Sequence, residues 1–219
     1  MRIGIIGSSG GSVARELIRA TGDQHSYTII TDRGCGLEPL AEEYGLTWSR
    51  IVGPKNALFS EKAKRNLHQQ GGVDLVLLFY TRLVTRELFD TYPTLNFHPS
   101  LLPEYRGFNA LERAYEDRVE QFGATFHLVD EKPDHGRIVA QVSTRLNQSD
   151  GIEQMHRVSF AQKTYLAFYL IDRFGLYADG SLLMSLQSEP PVMNPRIESN
   201  TLRDNYREFL AREALEDIL

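Results

Sequence analysis

Asn96 and His98 stand two residues apart at the end of an apolar stretch that runs into Pro99. On a strand, side chains alternate between faces, so both project to the same side at its carboxyl end. An amide N–H and an imidazole converging there could hydrogen-bond one carbonyl oxygen and stabilise the oxyanion formed when an amine attacks it. They could equally be a structural pair that satisfy one another. A second candidate is Gly7-Ser8-Ser9-Gly10-Gly11-Ser12, between an apolar strand and an amphipathic helix, where free backbone N–H groups and the helix dipole favour an anion such as phosphate. It lacks the full G-x-G-x-x-G spacing, and a tight βα turn needs glycine in any case, so the ligand and structural readings both stand. Without that spacing, Asp32 after the second strand reads as a turn residue rather than a ribose ligand. The single cysteine, Cys35, cannot form an internal disulfide or a cysteine-rich metal site and reads as a small loop residue.

These side chains need a scaffold, and the hydrophobic periodicity predicts one. Strands are expected at Arg2–Ile6, Tyr27–Thr31, Thr47–Val52 and Leu75–Phe79, alternating with helices at Val13–Ala20, Leu37–Tyr44, Phe59–Gln69 and Val84–Thr91. Such alternation implies parallel pairing, and Leu75–Phe79, the most apolar strand, belongs at the centre of a sheet covered on both faces. Thr94–His98 continues the pattern, and Pro99–Gly107, rich in Pro and Gly, must be a loop. Beyond it a helix is expected at Ala110–Glu116. Two extended stretches, Ala124–Val129 and Arg137–Arg145, flank the polar loop Asp130–Gly136 and suit antiparallel pairing at the sheet's far edge. A long amphipathic helix over Gly151–Phe174, a turn at Asp179-Gly180, a strand at Ser181–Ser188 and a last helix from about Thr201 complete the reading.

Composition narrows the function classes. With 24 Lys and Arg against 29 Asp and Glu, the net charge is -5, which gives no electrostatic reason to expect nucleic acid as a partner. The strongly apolar run Val73–Tyr80 is interrupted by Asp74 and far shorter than the roughly 18 residues that span a bilayer. The amino terminus lacks the charged and apolar regions of a signal peptide, so a cytoplasmic protein without membrane association is expected.

The stretch Asn96-Phe97-His98-Pro99-Ser100-Leu101-Leu102-Pro103 resembles the formyltransferase family, typified by glycinamide ribonucleotide transformylase (phosphoribosylglycinamide formyltransferase) and more distantly by methionyl-tRNA formyltransferase. The resemblance continues through Tyr105-Arg106-Gly107, Gly123 to Asp130 and Asp134-His135-Gly136, which looks like the family's Asp-x-Gly, with weaker similarity at Tyr80-Thr81-Arg82-Leu83. It implies a Rossmann-like α/β fold, with a mostly parallel sheet, flanking helices and antiparallel strands at the C-terminal edge. It further implies one formyltransferase domain over residues 1–219, with a nucleotide-binding-like half to residue 93 and a catalytic and folate-binding half from residue 94. The implied reaction moves a formyl group from 10-formyltetrahydrofolate, a cosubstrate, to an amine without a metal. The family's catalytic Asn, His and Asp fall on Asn96, His98 and Asp134. The same resemblance puts the pterin among Arg82, Leu83 and Val84 and the loop Asp130, Glu131, Lys132 and Pro133.

The acceptor is the open term. By resemblance it meets Gly10, Gly11, Ser12, Val13 and Lys163. The nucleotide enzymes usually carry Asn where this chain has Val13, and Lys163 falls where they carry a glutamate that contacts the ribose, unless it is a solvated helix residue. Tyr105-Arg106-Gly107 looks more like the tRNA and sugar enzymes. A small amine, phosphorylated or not, is therefore expected as acceptor. The choices are glycinamide ribonucleotide, an amino sugar nucleotide and hydroxyornithine, on a monomer or homodimer. A 10-formyltetrahydrofolate hydrolase is the alternative, though such enzymes normally carry an amino-terminal regulatory domain and Met1 here enters the first strand directly. A methionyl-tRNA enzyme is expected to need a further RNA-binding domain. A non-catalytic folate- or nucleotide-binding module would have no need of Asn96, His98 and Asp134 together.

Overall fold

The computed structural model describes residues 1–146, 151–176 and 181–215. The amino-terminal half alternates strand and helix: β1 (Arg2–Gly7), α1 (Ser12–Thr21), β2 (Ser26–Thr31), α2 (Leu37–Glu43), β3 (Thr47–Arg50), α3 (Asn56–Gln69), β4 (Leu75–Phe79), α4 (Arg86–Phe89) and β5 (Thr94–His98). After it come α5 (Ala110–Glu116), β6 (Gln121–Leu128), β7 (Ile138–Arg145), α6 (Ile152–Phe174), α7 (Ser181–Ser188), β8 (Val192–Met193) and α8 (Asn200–Arg212). The described strands make one sheet in the order β3-β2-β1-β4-β5-β6-β7-β8. β1 to β5 pair in parallel, β6 runs antiparallel to β5 and β7, and β8 joins β7 in parallel at the far edge.

The central strands are apolar on both faces because helices cover both. Ile5, Leu75, Leu77, Leu95, Phe97, Ala124 and Phe126 face a core completed by α1, α6 and α8, and Phe79, Phe97 and Phe126 stack in series at 5.5 and 4.9 Å. Ile6, Ile30, Val76 and Leu78 face the other side, against Phe59, Ala63 and Leu67 of α3. The parallel strands thus present their carboxyl ends together, the edge at which open α/β sheets bind ligands.

Three elements differ from the sequence expectation, one of them β8, a two-residue strand that was not expected. Ser181–Ser188 is the helix α7, not a strand: Leu182 and Leu186, four residues apart, are buried, while Leu183 and Met184 are exposed. The helix expected at Val84–Thr91 contracts to Arg86–Phe89, because Thr85 stays extended and donates its N–H to Ser60 Oγ at 2.9 Å. The turn expected at Asp179-Gly180 lies outside the described residues.

Candidate active site

β5 carries Leu95 and Phe97 into the core, so alternation turns Asn96 and His98 to the opposite face. β6 lies antiparallel beside it in a register that pairs Asn96 with His127 and His98 with Thr125. The turn from β6 to β7 then brings Asp134 over this pair. Gly136 makes that turn possible, since a Cβ there would lie 1.7 Å from the Leu128 carbonyl oxygen. Asp134 itself adopts a left-handed conformation (φ 56°), which aspartate tolerates better than most residues.

The result is a four-residue polar cluster. Asn96 Nδ2 lies 3.3 Å from His127 Nε2 and 3.5 Å from Asp134 Oδ1. His98 Nδ1 and His127 Nε2 each stand 3.5 Å from an Asp134 oxygen. The Gly107 N–H donates to Asp134 Oδ2 at 2.8 Å. Carbonyl acceptors fix both histidines: His98 Nε2–H donates to Tyr105 O and His127 Nδ1–H to Leu128 O, each at 2.8 Å. Because a carbonyl can only accept, His98 titrates at Nδ1, the nitrogen that faces Asp134.

Burial lowers the His98 pKa below its ordinary value, and the Asp134 carboxylate is the chief influence opposing that shift. For Asp134, burial pushes the carboxyl up, but the His127 ring, the charge of His98 and the Gly107 N–H outweigh it and hold the pKa below the usual carboxylate value.

The cluster forms one wall of a cavity of about 710 Å³ at the carboxyl ends of β4 and β5. Arg82, Leu83, Val84, Asp130, Glu131, Lys132 and Pro133 all line it, as do Asn96, His98, Asp134 and Lys163. Arg82 is anchored through an ion pair to the buried Asp32 at 3.0 Å, so Asp32 supports the cavity wall. Gly10, Gly11, Ser12 and Val13 are not among the lining residues. Val13 packs into the core, and the glycine loop touches the cavity wall through Ser8, whose hydroxyl lies 2.9 Å from that of Thr81. Sequence reasoning gave no role to His127, to the Tyr105 carbonyl, or to His156 and Ser159 of α6, which also line the cavity. Alternation within β6 could have put His127 on the Asn96 face, but the register that joins them is a tertiary fact.

Residues 1–168 match the family described as "Formyl transferase". A phosphoribosylglycinamide formyltransferase of Haemophilus influenzae is 31% identical over 167 residues, covering 70% of this chain and 77% of that protein. A formyltetrahydrofolate deformylase of Synechocystis is 31% identical over 132 residues, covering 59% of this chain and 46% of that protein. Among solved structures, glycinamide ribonucleotide transformylase 1 of Symbiobacterium toebii superposes with a TM-score of 0.71 at 28% identity, over 76% of this chain and 83% of that one. The family match spans more than half of the chain, and the chain belongs to the formyl transferase family.

Proposed function

We propose that this chain is a cytoplasmic enzyme that transfers the formyl group of 10-formyltetrahydrofolate to a primary amine, with Asn96, His98 and Asp134 as its catalytic residues. The observation that carries the reading is the convergence of these three side chains on one wall of a cavity whose size suits a bound organic cosubstrate. Glycinamide ribonucleotide is the acceptor that the names of the similar nucleotide enzymes suggest. An amino sugar nucleotide or hydroxyornithine is the other choice.

Formyl transfer forms one C–N bond, breaks another and moves a proton from the incoming nitrogen to the departing one. Positioning and proton management suffice for it. The contacts of the Asn96 amide with His127 and Asp134 are long, so its hydrogens are free to turn to an entering formyl oxygen. Protonated at Nδ1, His98 offers a second donor beside it, and together they stabilise the charge that develops on that oxygen. Asp134 holds the imidazolium and accepts the amine proton for relay to the departing nitrogen. Arg82, Leu83, Val84 and Asp130 to Pro133 present backbone groups and apolar walls suited to a pterin edge. A phosphate on the acceptor would find backbone N–H donors at Gly10, Gly11 and Ser12, with Val13 contributing no more than its own.

The test is turnover of purified protein with 10-formyltetrahydrofolate and a panel of amines, reading tetrahydrofolate release and the mass of the product. His98→Ala and Asn96→Ala are each expected to lower kcat by about 100-fold or more. Unchanged turnover in these variants would remove them from the catalytic centre. The similarity to deformylases keeps a hydrolase as the second reading. Formate release that needs no amine would favour it.

A further inference from the structure

α6 turns one narrow face toward the cavity. His156, Ser159 and Lys163, spaced by three and four residues, all line it. Among the described residues, the other charged side chains around the cavity have partners, except Lys132, which is exposed to solvent. Arg82 is paired with Asp32 at 3.0 Å, Arg86 with Glu131 at 2.6 Å, and Asp134 with the two histidines. His156 lies 4.0 Å from Glu112, and Asp130 accepts the N–H of Lys132, whose own side chain is exposed to solvent. Lys163 differs: it is only partly exposed, and among the described residues no carboxylate lies within ion-pair reach of it. Burial alone acts on its ammonium, lowering its pKa with nothing to offset the effect.

One turn away, Ser159 is 1% exposed and its hydroxyl has no hydrogen-bond partner. A serine within a helix commonly returns its hydroxyl to the carbonyl four residues earlier. Ser159 does not, although it lies well inside a 23-residue helix. Two residues that line the same cavity from adjacent turns thus carry unmet hydrogen-bond donors, one a charged ammonium and the other a buried hydroxyl. A neutral group would leave the ammonium uncompensated, whereas an oxyanion supplies both the charge and several lone pairs.

We propose that Lys163 and Ser159 form an oxyanion subsite at the acceptor end of the cavity, so that the amine substrate carries a carboxylate or phosphate, distinct from any phosphate held by the glycine loop, that is read by α6. This rests on the formyl-transfer reading for the identity of the ligand as an acceptor. The presence of the subsite is testable without turnover.

The probes are succinate and pyrophosphate, titrated calorimetrically into the wild-type protein, Lys163→Gln, Lys163→Arg and Ser159→Ala. The wild type is expected to bind one of the two in the millimolar range or tighter, which also distinguishes carboxylate from phosphate. Lys163→Gln should weaken that binding at least tenfold, Ser159→Ala about threefold or more, and Lys163→Arg should retain it within about threefold. Lys163→Gln is also expected to raise the melting temperature of the ligand-free protein, because it removes an uncompensated charge. A lysine with a merely structural role would do the reverse. Binding that persists unchanged in Lys163→Gln belongs to the glycine loop and overturns the subsite, as does failure of both probes to bind the wild type. Turnover is scored separately. With an amine that is formylated, Lys163→Gln should raise KM at least tenfold with kcat within threefold, and an unchanged KM overturns the proposal. If no amine is formylated, the reaction fails while the titration still decides the subsite.

Discussion

Asp134 acts on the protonation of His98, and this can be read as a pH dependence. Burial lowers the His98 pKa, while Asp134 pulls it back up. If transfer requires His98 protonated, kcat declines as pH rises through the His98 pKa in the substrate complex. Asp134→Asn removes the opposing carboxylate, so this alkaline limb should move to lower pH, and the His98 ring should titrate at lower pH by NMR. An unmoved titration would mean that Asp134 does not stabilise the imidazolium. Asp134 also has a stability consequence of the opposite kind. Its depressed pKa contributes stability that is present above the ordinary carboxylate range and is lost as pH falls through the lower folded value. His127 belongs to the same unit. Its residue type and its position in the matched stretch were visible in the sequence, but its partnership with Asn96 was not, because alternation fixes a face and leaves cross-strand register open.

At the scale of elements, the site depends on how β5, β6 and the Pro99–Gly107 loop are tied together. Thr125 on β6 is fully buried, and its hydroxyl donates to Ser100 O at 2.6 Å while accepting from Leu102 N at 3.0 Å and Gln141 Nε2 at 2.8 Å. That one oxygen fixes the loop that delivers the Tyr105 carbonyl to His98. Thr125→Val keeps the shape but takes this partner from the buried Ser100 carbonyl and Leu102 N–H and from the half-buried Gln141 amide, a loss of about 2 kcal/mol. Thermal denaturation should show this as a decrease of about 4–8 °C. The loosened loop should also lower kcat roughly tenfold or more. A destabilised variant with kcat within twofold of wild type would show that the loop does not position His98. The parallel half was legible because its strands are continuous apolar runs between helical periods. Ser181–Ser188 was not: Leu182, Met184 and Leu186 fit a period of two, Leu182 and Leu186 fit a helix, and only packing decides between them. The glycine loop was correctly readable as a βα turn, but a local motif does not say which cavity it faces.

At the scale of the whole molecule, the cavity joins the two halves of the chain. Arg82, Leu83 and Val84 follow β4, whereas Asn96, His98 and the Asp130–Asp134 loop belong to β5 and beyond, and Lys163 comes from α6. The junction is continuous: β4 pairs with β5, Phe79 of one stacks on Phe97 of the other, and α6 packs into the same core as β1 and β6. A ligand filling the cavity therefore contacts both halves and should stabilise both together. A folate analogue with carbon in place of N10, which cannot release its formyl group, is the suitable probe. At a concentration of 100 times its Kd it should add about 2.7 kcal/mol to the folded state. For a chain of this size that corresponds to an increase of about 5–10 °C in melting temperature. Because the halves share one core, calorimetry should show a single transition that moves as a whole. Two transitions, only one of which moves, would mean that the halves unfold independently and that the proposed folate cleft belongs to one of them alone.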